Sequence, residues 1–144
     1  MAYSGKEGVD MKYQKGYNYR LFEDESINTG WFIGKDIDTE YIKMTRSGLL
    51  TVKRGYNWDG ASSVAIDTKN NMTPSLCHDA VFQLMRLEYL DQKYFYKANK
   101  LYRDMCIARG MWKARAEIDQ WGLDNFASFA CKPGYEPYPV LTAP

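Results

Sequence analysis

A chain of 144 residues with 45% apolar and 26% charged side chains has the size and make-up of one folded domain, which excludes disordered, collagen-like and disulfide-scaffold classes. Its 19 basic and 18 acidic groups leave a formal net charge of +1, so no global field draws it to nucleic acid or to an acidic membrane. Aromatic content is 15%, with twelve Tyr and four Trp, and such side chains suit half-wet contact surfaces as well as cores.

The first residues carry no apolar run of the kind that opens a secretory signal, and no later stretch approaches the roughly 18 consecutive apolar residues of a membrane span. A soluble protein with no membrane partner is expected. Residues 1–16 are polar and aperiodic and predict an N-terminal arm outside a single domain at 17–131. From residue 17 onward short β-rich runs follow at 17–22, 31–34, 41–45 and 49–52, with an acidic loop at Glu23, Asp24 and Glu25. Ser47 and Gly48 signal a hairpin turn. Across it Ile42 and Met44 alternate with Lys43, and Leu50 and Val52 with Thr51, the pattern of a sheet covered on one side.

After a polar loop at 67–72, Thr73 as N-cap and Pro74 at the first helical position predict a helix. Its apolar stripe is Leu76, Cys77, Ala80, Val81, Leu84 and Met85. A second helix is expected from Gln92, with Phe95, Ala98, Leu101, Tyr102, Met105 and Ala108 facing inward and Gly110 as its stop. A third spans 112–130 and carries Ile118, Trp121, Phe126 and Phe129. The Pro-rich segment 132–144 is expected to be an extended C-terminal tail. The fold class is therefore α+β, a small antiparallel sheet in the N-terminal half packed on three helices in the C-terminal half.

Cys77, Cys106 and Cys131 are odd in number and lack CxxC spacing, which points to reduced thiols packed in the core. Seven basic residues lie between Gln92 and Arg115 against the single acid Asp104, and they are read as the solvated face of an amphipathic helix. Nucleic acid is accordingly not expected as a partner.

Two segments concentrate chemistry: the loop Trp58-Asp59-Gly60-Ala61-Ser62, and His78-Asp79 in the first helix, His78 being the one histidine of the chain. With Ala98, Tyr102 and Gly110 following in order, the chain resembles a family of short bacteriophage and prophage proteins of unknown activity. That family carries an Asp-Gly-Ala-Ser loop followed by a His-Asp helix. The chain departs from its pattern at Trp58 in place of Thr, at Ser63-Val64 in place of Ile-Pro, and at Asn99 in place of an Asp. The resemblance covers roughly residues 50–126 and implies a phage origin and a shared fold, with the host cytoplasm as the site of synthesis and the virion as an open destination.

Asp59, His78 and Ser62 supply the residue types of an orienting acid, a base and a nucleophile, although nothing in their spacing demands that arrangement. The alternative is a polar clasp in which Asp59, His78 and Asn99 dock loop to helices. The clasp is the stronger reading. Metal and cofactor are not expected, because one His with scattered acids is a thin ligand set, and a hard cation between Asp59 and Asp79 is the weaker alternative. Trp58, Tyr135 and Tyr138 are the aromatics expected to take part in binding. The leading function is then an interaction or assembly protein contacting a phage or host protein in a homo- or hetero-oligomer, without turnover; a small infection- or lysis-associated hydrolase using His78 and Asp59 is the alternative.

Overall fold

The computed structural model describes residue 11, the backbone of 13–15, and residues 19–58 and 70–135. Among the described residues seven short strands precede three helices, and every strand pairing is antiparallel. Strands β1 (Tyr13–Lys15), β2 (Tyr19–Leu21) and β7 (Asn57–Trp58) form one sheet in the order β1-β2-β7. Strands β3 (Glu25–Asn28), β4 (Ile37–Asp38), β5 (Ile42–Met44) and β6 (Leu49–Val52) form the other, in the order β3-β6-β5-β4. The helices are α1 (Met72–Arg86), α2 (Phe95–Ala108) and α3 (Lys113–Phe126), with 3-10 turns at Gln92–Tyr94 and Ser128–Cys131. This is the α+β arrangement expected from the sequence.

The hairpin of β5 and β6 pairs Ile42 with Val52 and Met44 with Leu50, and all four side chains are fully buried. Period-2 alternation thus delivers one apolar face to the helices. At the turn Gly48 takes φ +96°, and a Cβ there would lie on the Trp31 carbonyl and crowd the Thr29 hydroxyl. Only glycine fits both the backbone and the space.

Strand β3 falls partly where an acidic loop was expected. Glu25 and Ile27 point inward while Asn28 is exposed, so an acid occupies an inward position and hides the alternation from sequence. The run at 31–34 is not a strand. Its backbone is held by Ile33 and Gly34 amides on the Arg46 carbonyl, by the Trp31 amide on the Thr29 hydroxyl, and by Trp31 packing on Tyr94 at 5.5 Å. Positive φ at Gly30 and Gly34 brackets the segment and prevents extended pairing. Strand β1 lies within the segment expected to be a loose arm, and Met11 packs against the core, so the ordered domain begins before residue 17.

Helix α1 starts one residue before the expected N-cap. Asn71 holds that position, and its carbonyl accepts from the Ser75 amide at 2.9 Å. Pro74 remains in the first turn, where its missing N–H costs nothing. All six residues of the α1 stripe are buried, as are Phe95, Ala98, Leu101, Tyr102 and Met105 on α2. Gly110, at φ +96°, ends the helical run. Helix α3 is shorter than expected and turned differently: it buries Ala116, Asp119 and Leu123, whereas Ile118, Trp121 and Phe126, with Phe129 just beyond, are exposed. The segment after it is anchored by the Arg86 guanidinium on the Ala130 carbonyl and the Gln92 amide on the Cys131 carbonyl. No helix among the described residues is long and apolar enough to cross a membrane.

Candidate functional site

Two buried polar residues of the helical layer, His78 and Asn99, meet between α1 and α2. His78 sits in the second turn of α1, whose apolar stripe turns that side of the helix to α2. Its Nε2 lies 2.7 Å from Oδ1 of Asn99, a fully buried residue of α2. The Asn99 amide nitrogen in turn donates to Oδ1 of Asp124 on α3 at 2.8 Å. A side-chain chain therefore runs across all three helices. Its polarity is set by chemistry: a carboxylate accepts, so the Asn99 nitrogen must face Asp124 and its oxygen must face His78. Nε2 of His78 consequently carries the hydrogen and donates it to Asn99.

The rest of the imidazole is packed in aromatic rings. Phe82, one turn along α1, lies with its centroid 4.0 Å away, and Tyr102 meets the ring edge-on at 5.8 Å. Burial among these rings disfavours the cation and lowers the His78 pKa to about 4, against a smaller upward pull from Asn99 as acceptor. His78 is a neutral hydrogen-bond donor at neutral pH.

A second polar contact lies beside the first. The Tyr102 hydroxyl points at Asp119 Oδ2 at 3.4 Å, a long and weak bond. Burial pushes the Asp119 carboxyl above its ordinary value, and the Arg115 guanidinium pulls it back only in part. The Tyr102 phenol is likewise raised, again by burial. Among the described residues no buried side-chain nitrogen or oxygen is left without a partner, so the polar band is internally satisfied.

Two members of the expected clasp, His78 and Asn99, are brought together directly. The third, Asp59, lies outside the described residues, as do Ser62 of the catalytic reading and Tyr138. Asp124, which the sequence did not single out, is the carboxylate that Asn99 holds. A signal for this layer was present, since Asp119 stands on the same stripe as Ala116 and Leu123 and hence on the buried face of α3. Trp58, expected as a binding aromatic, is a core residue instead: it is 1% exposed, its indole N–H donates to the Ser75 hydroxyl at 3.1 Å, and its ring packs on Tyr19. The reason is that β7 turns it inward over the N-terminus of α1. Tyr135 is half-buried, edge-on to Phe129 at 5.2 Å and under the Arg86 guanidinium.

The three cysteines are free and buried, as their sequence context indicated. Burial raises the thiols of Cys77 and Cys106 to about 12, so neither is a thiolate nucleophile at neutral pH. Among the described residues no group of three or more His, Cys, Asp or Glu side chains is placed to hold a metal ion. Comparison of the chain with protein-family models, with curated proteins and with solved structures returns no match.

Proposed function

We propose that this chain is a bacteriophage-encoded interaction or assembly protein that binds another protein through the outward face of α3. The carrying observation is the exposure there of Ile118 at 68%, Trp121 at 60% and Phe126 at 63%. Ile118 and Trp121 are three residues apart and share one helical face. The Trp121 and Phe126 rings touch edge-to-face at 5.5 Å, so the three form one patch. Scattered apolar side chains are normal on a surface, whereas a joined patch built on Trp and Phe has the composition of an interface centre.

The polar groups support the same reading from the other side. His78, the base of the hydrolase alternative, is buried against Phe82 and engaged by Asn99. With a pKa near 4 it is a poor proton acceptor at neutral pH.

The test pairs Ile118→Lys and Trp121→Glu in one variant. Light scattering of the purified protein, and mass spectrometry of phage particles made with each form, report association. The wild type is expected in a complex or in the particle, and the variant is expected to be lost from it while its melting temperature stays within a few degrees. A wild type that is monomeric and particle-free, or a variant that assembles as well as the wild type, overturns the proposal.

A further inference from the structure

The seven basic residues between Gln92 and Arg115 do not share one fate in the folded chain. Arg103 is held by Asp104 at 2.8 Å and Lys113 by Glu117, while Arg109 and Arg115 have interactions of their own. Lys93, Lys97 and Lys100 are exposed, and among the described residues none of them forms an ion pair. The nearest acid in sequence, Asp91, accepts the Lys93 backbone amide at the start of the 3-10 turn.

Two of these lysines lie over one aromatic ring. The ammonium groups of Lys93 and Lys97 lie 5.6 and 5.3 Å from the centroid of one ring, Tyr94. Tyr94 packs on Trp31, and its hydroxyl reaches the Phe32 carbonyl at 3.5 Å, a long and weak contact. The Phe32 backbone thus lies beside the ring that carries the lysine pair, and the Phe32 side chain is 70% exposed. Tyr96, 64% exposed, stands three residues after Lys93 and four before Lys100, and so shares their helical face. Two like charges held over one ring repel each other, and a bound anion relieves that repulsion.

We propose that Phe32, Tyr96, Lys93, Lys97 and Lys100 form a binding surface for single-stranded nucleic acid. The lysines take phosphates and the two open rings stack unpaired bases, the combination used for sequence-tolerant strand binding. A duplex would meet the lysines and leave both rings unused. A membrane surface fits less well, because the apolar stripe of α2 is buried in the core and only isolated rings remain to insert. The overall charge of +1 does not reveal the cluster, since acids elsewhere in the chain balance these lysines in the total. This surface is separate from the α3 patch and does not depend on it.

Fluorescence anisotropy of a labelled oligothymidylate of about 15 nucleotides tests the proposal. Binding is expected at low salt, with log affinity falling against log salt at a slope of about −2 for three phosphate contacts. Lys93→Glu, Lys97→Glu and Lys100→Glu together are expected to weaken it at least about tenfold, as is Phe32→Ala with Tyr96→Ala. The aromatic variant should keep the salt slope, and Trp121→Glu should bind as the wild type. Lys→Gln replacements at the three sites serve if the charge reversal lowers the melting temperature. Absence of binding, equal binding of a duplex, an aromatic variant that binds like the wild type, or equal competition by polyglutamate or by phosphatidylserine vesicles overturns it.

Discussion

At the scale of single residues the consequential group is Asn99, because its amide serves two partners with opposite needs. Asn99→Ala leaves the His78 N–H and the Asp124 carboxylate without their shared partner, a loss expected to cost about 1–3 kcal/mol. Asn125→Ala, on an exposed side chain that bonds the Trp121 carbonyl of its own helix, should stay within about 0.5 kcal/mol. Thermal melts of His78→Ala, Asn99→Ala and the double variant close a cycle; a coupling energy below about 0.5 kcal/mol would mean that the bond seen between them contributes nothing specific. The same histidine gives the fold an acid limb. Its pKa is lowered from 6.5 to about 4 on folding, so the unfolded chain binds the proton first. Stability is unaffected by His78 above about pH 6.5 and falls by about 1.4 kcal/mol per pH unit from there down to about pH 4. Asp119 acts with the opposite sign: its raised pKa makes the folded state the better proton acceptor, and its contribution rises as pH falls through that raised value. Urea titrations from pH 7 to pH 4 of wild type, His78→Gln and Asp119→Asn separate the two, since the first variant should flatten the acid loss and the second should deepen it.

At the scale of elements, the turn of the β5–β6 hairpin and the end of α2 pose the same backbone problem with different surroundings. Gly48 and Gly110 both have φ +96°, yet a Cβ at Gly48 would strike the Trp31 carbonyl whereas at Gly110 nothing lies within 4 Å. Gly110→Ala should therefore cost only the left-handed strain of about 1–2 kcal/mol. Gly48→Ala should cost clearly more, because the loop at 29–34 must move as well. Equal losses in a urea melt of the two variants would show that the Trp31 loop yields freely. The hairpin itself was legible in the sequence, from alternation and the Ser47-Gly48 signal. The loop at 31–34 was not, because Trp31, Phe32 and Ile33 have strand-like propensity while their backbone partners are the Arg46 carbonyl and the Thr29 hydroxyl.

At the scale of the whole molecule, one core joins the two sheets to the helices, running from Leu21 and Ile27 through Leu50 and Val52 to Leu84 and Met105. Cys77, Cys106 and Cys131 sit in it, at 2%, 0% and 1% exposure. Their thiols should be unreactive towards a disulfide reagent in the native protein and should all react once the chain is unfolded in guanidinium. Rapid labelling of one thiol under native conditions would identify a part of the core that opens by itself. Cys131 makes this informative, since its sulfur bonds the Ser128 carbonyl and the Gln92 side chain and so reports whether the C-terminal 3-10 turn stays docked.

The sequence by itself determined the α+β class, the buried stripes of α1 and α2, the β5–β6 hairpin and the free, core-packed cysteines. Each of these is written in local periodicity or in counting, and such signals survive whatever the rest of the chain does. Tertiary structure decided what periodicity cannot carry. It turned α3 so that Asp119 and Leu123 face inward and Ile118 and Trp121 outward, because Tyr102 and Asn99 on α2 offer partners to Asp119 and Asp124. It moved Trp58 from expected binding surface to core, where Ser75 satisfies the indole. It brought the backbone of Phe32, some sixty residues away in sequence, to the hydroxyl of Tyr94, the ring over which Lys93 and Lys97 lie. Contacts of that range depend on which elements pack together, and neither residue count nor spacing along the chain records it.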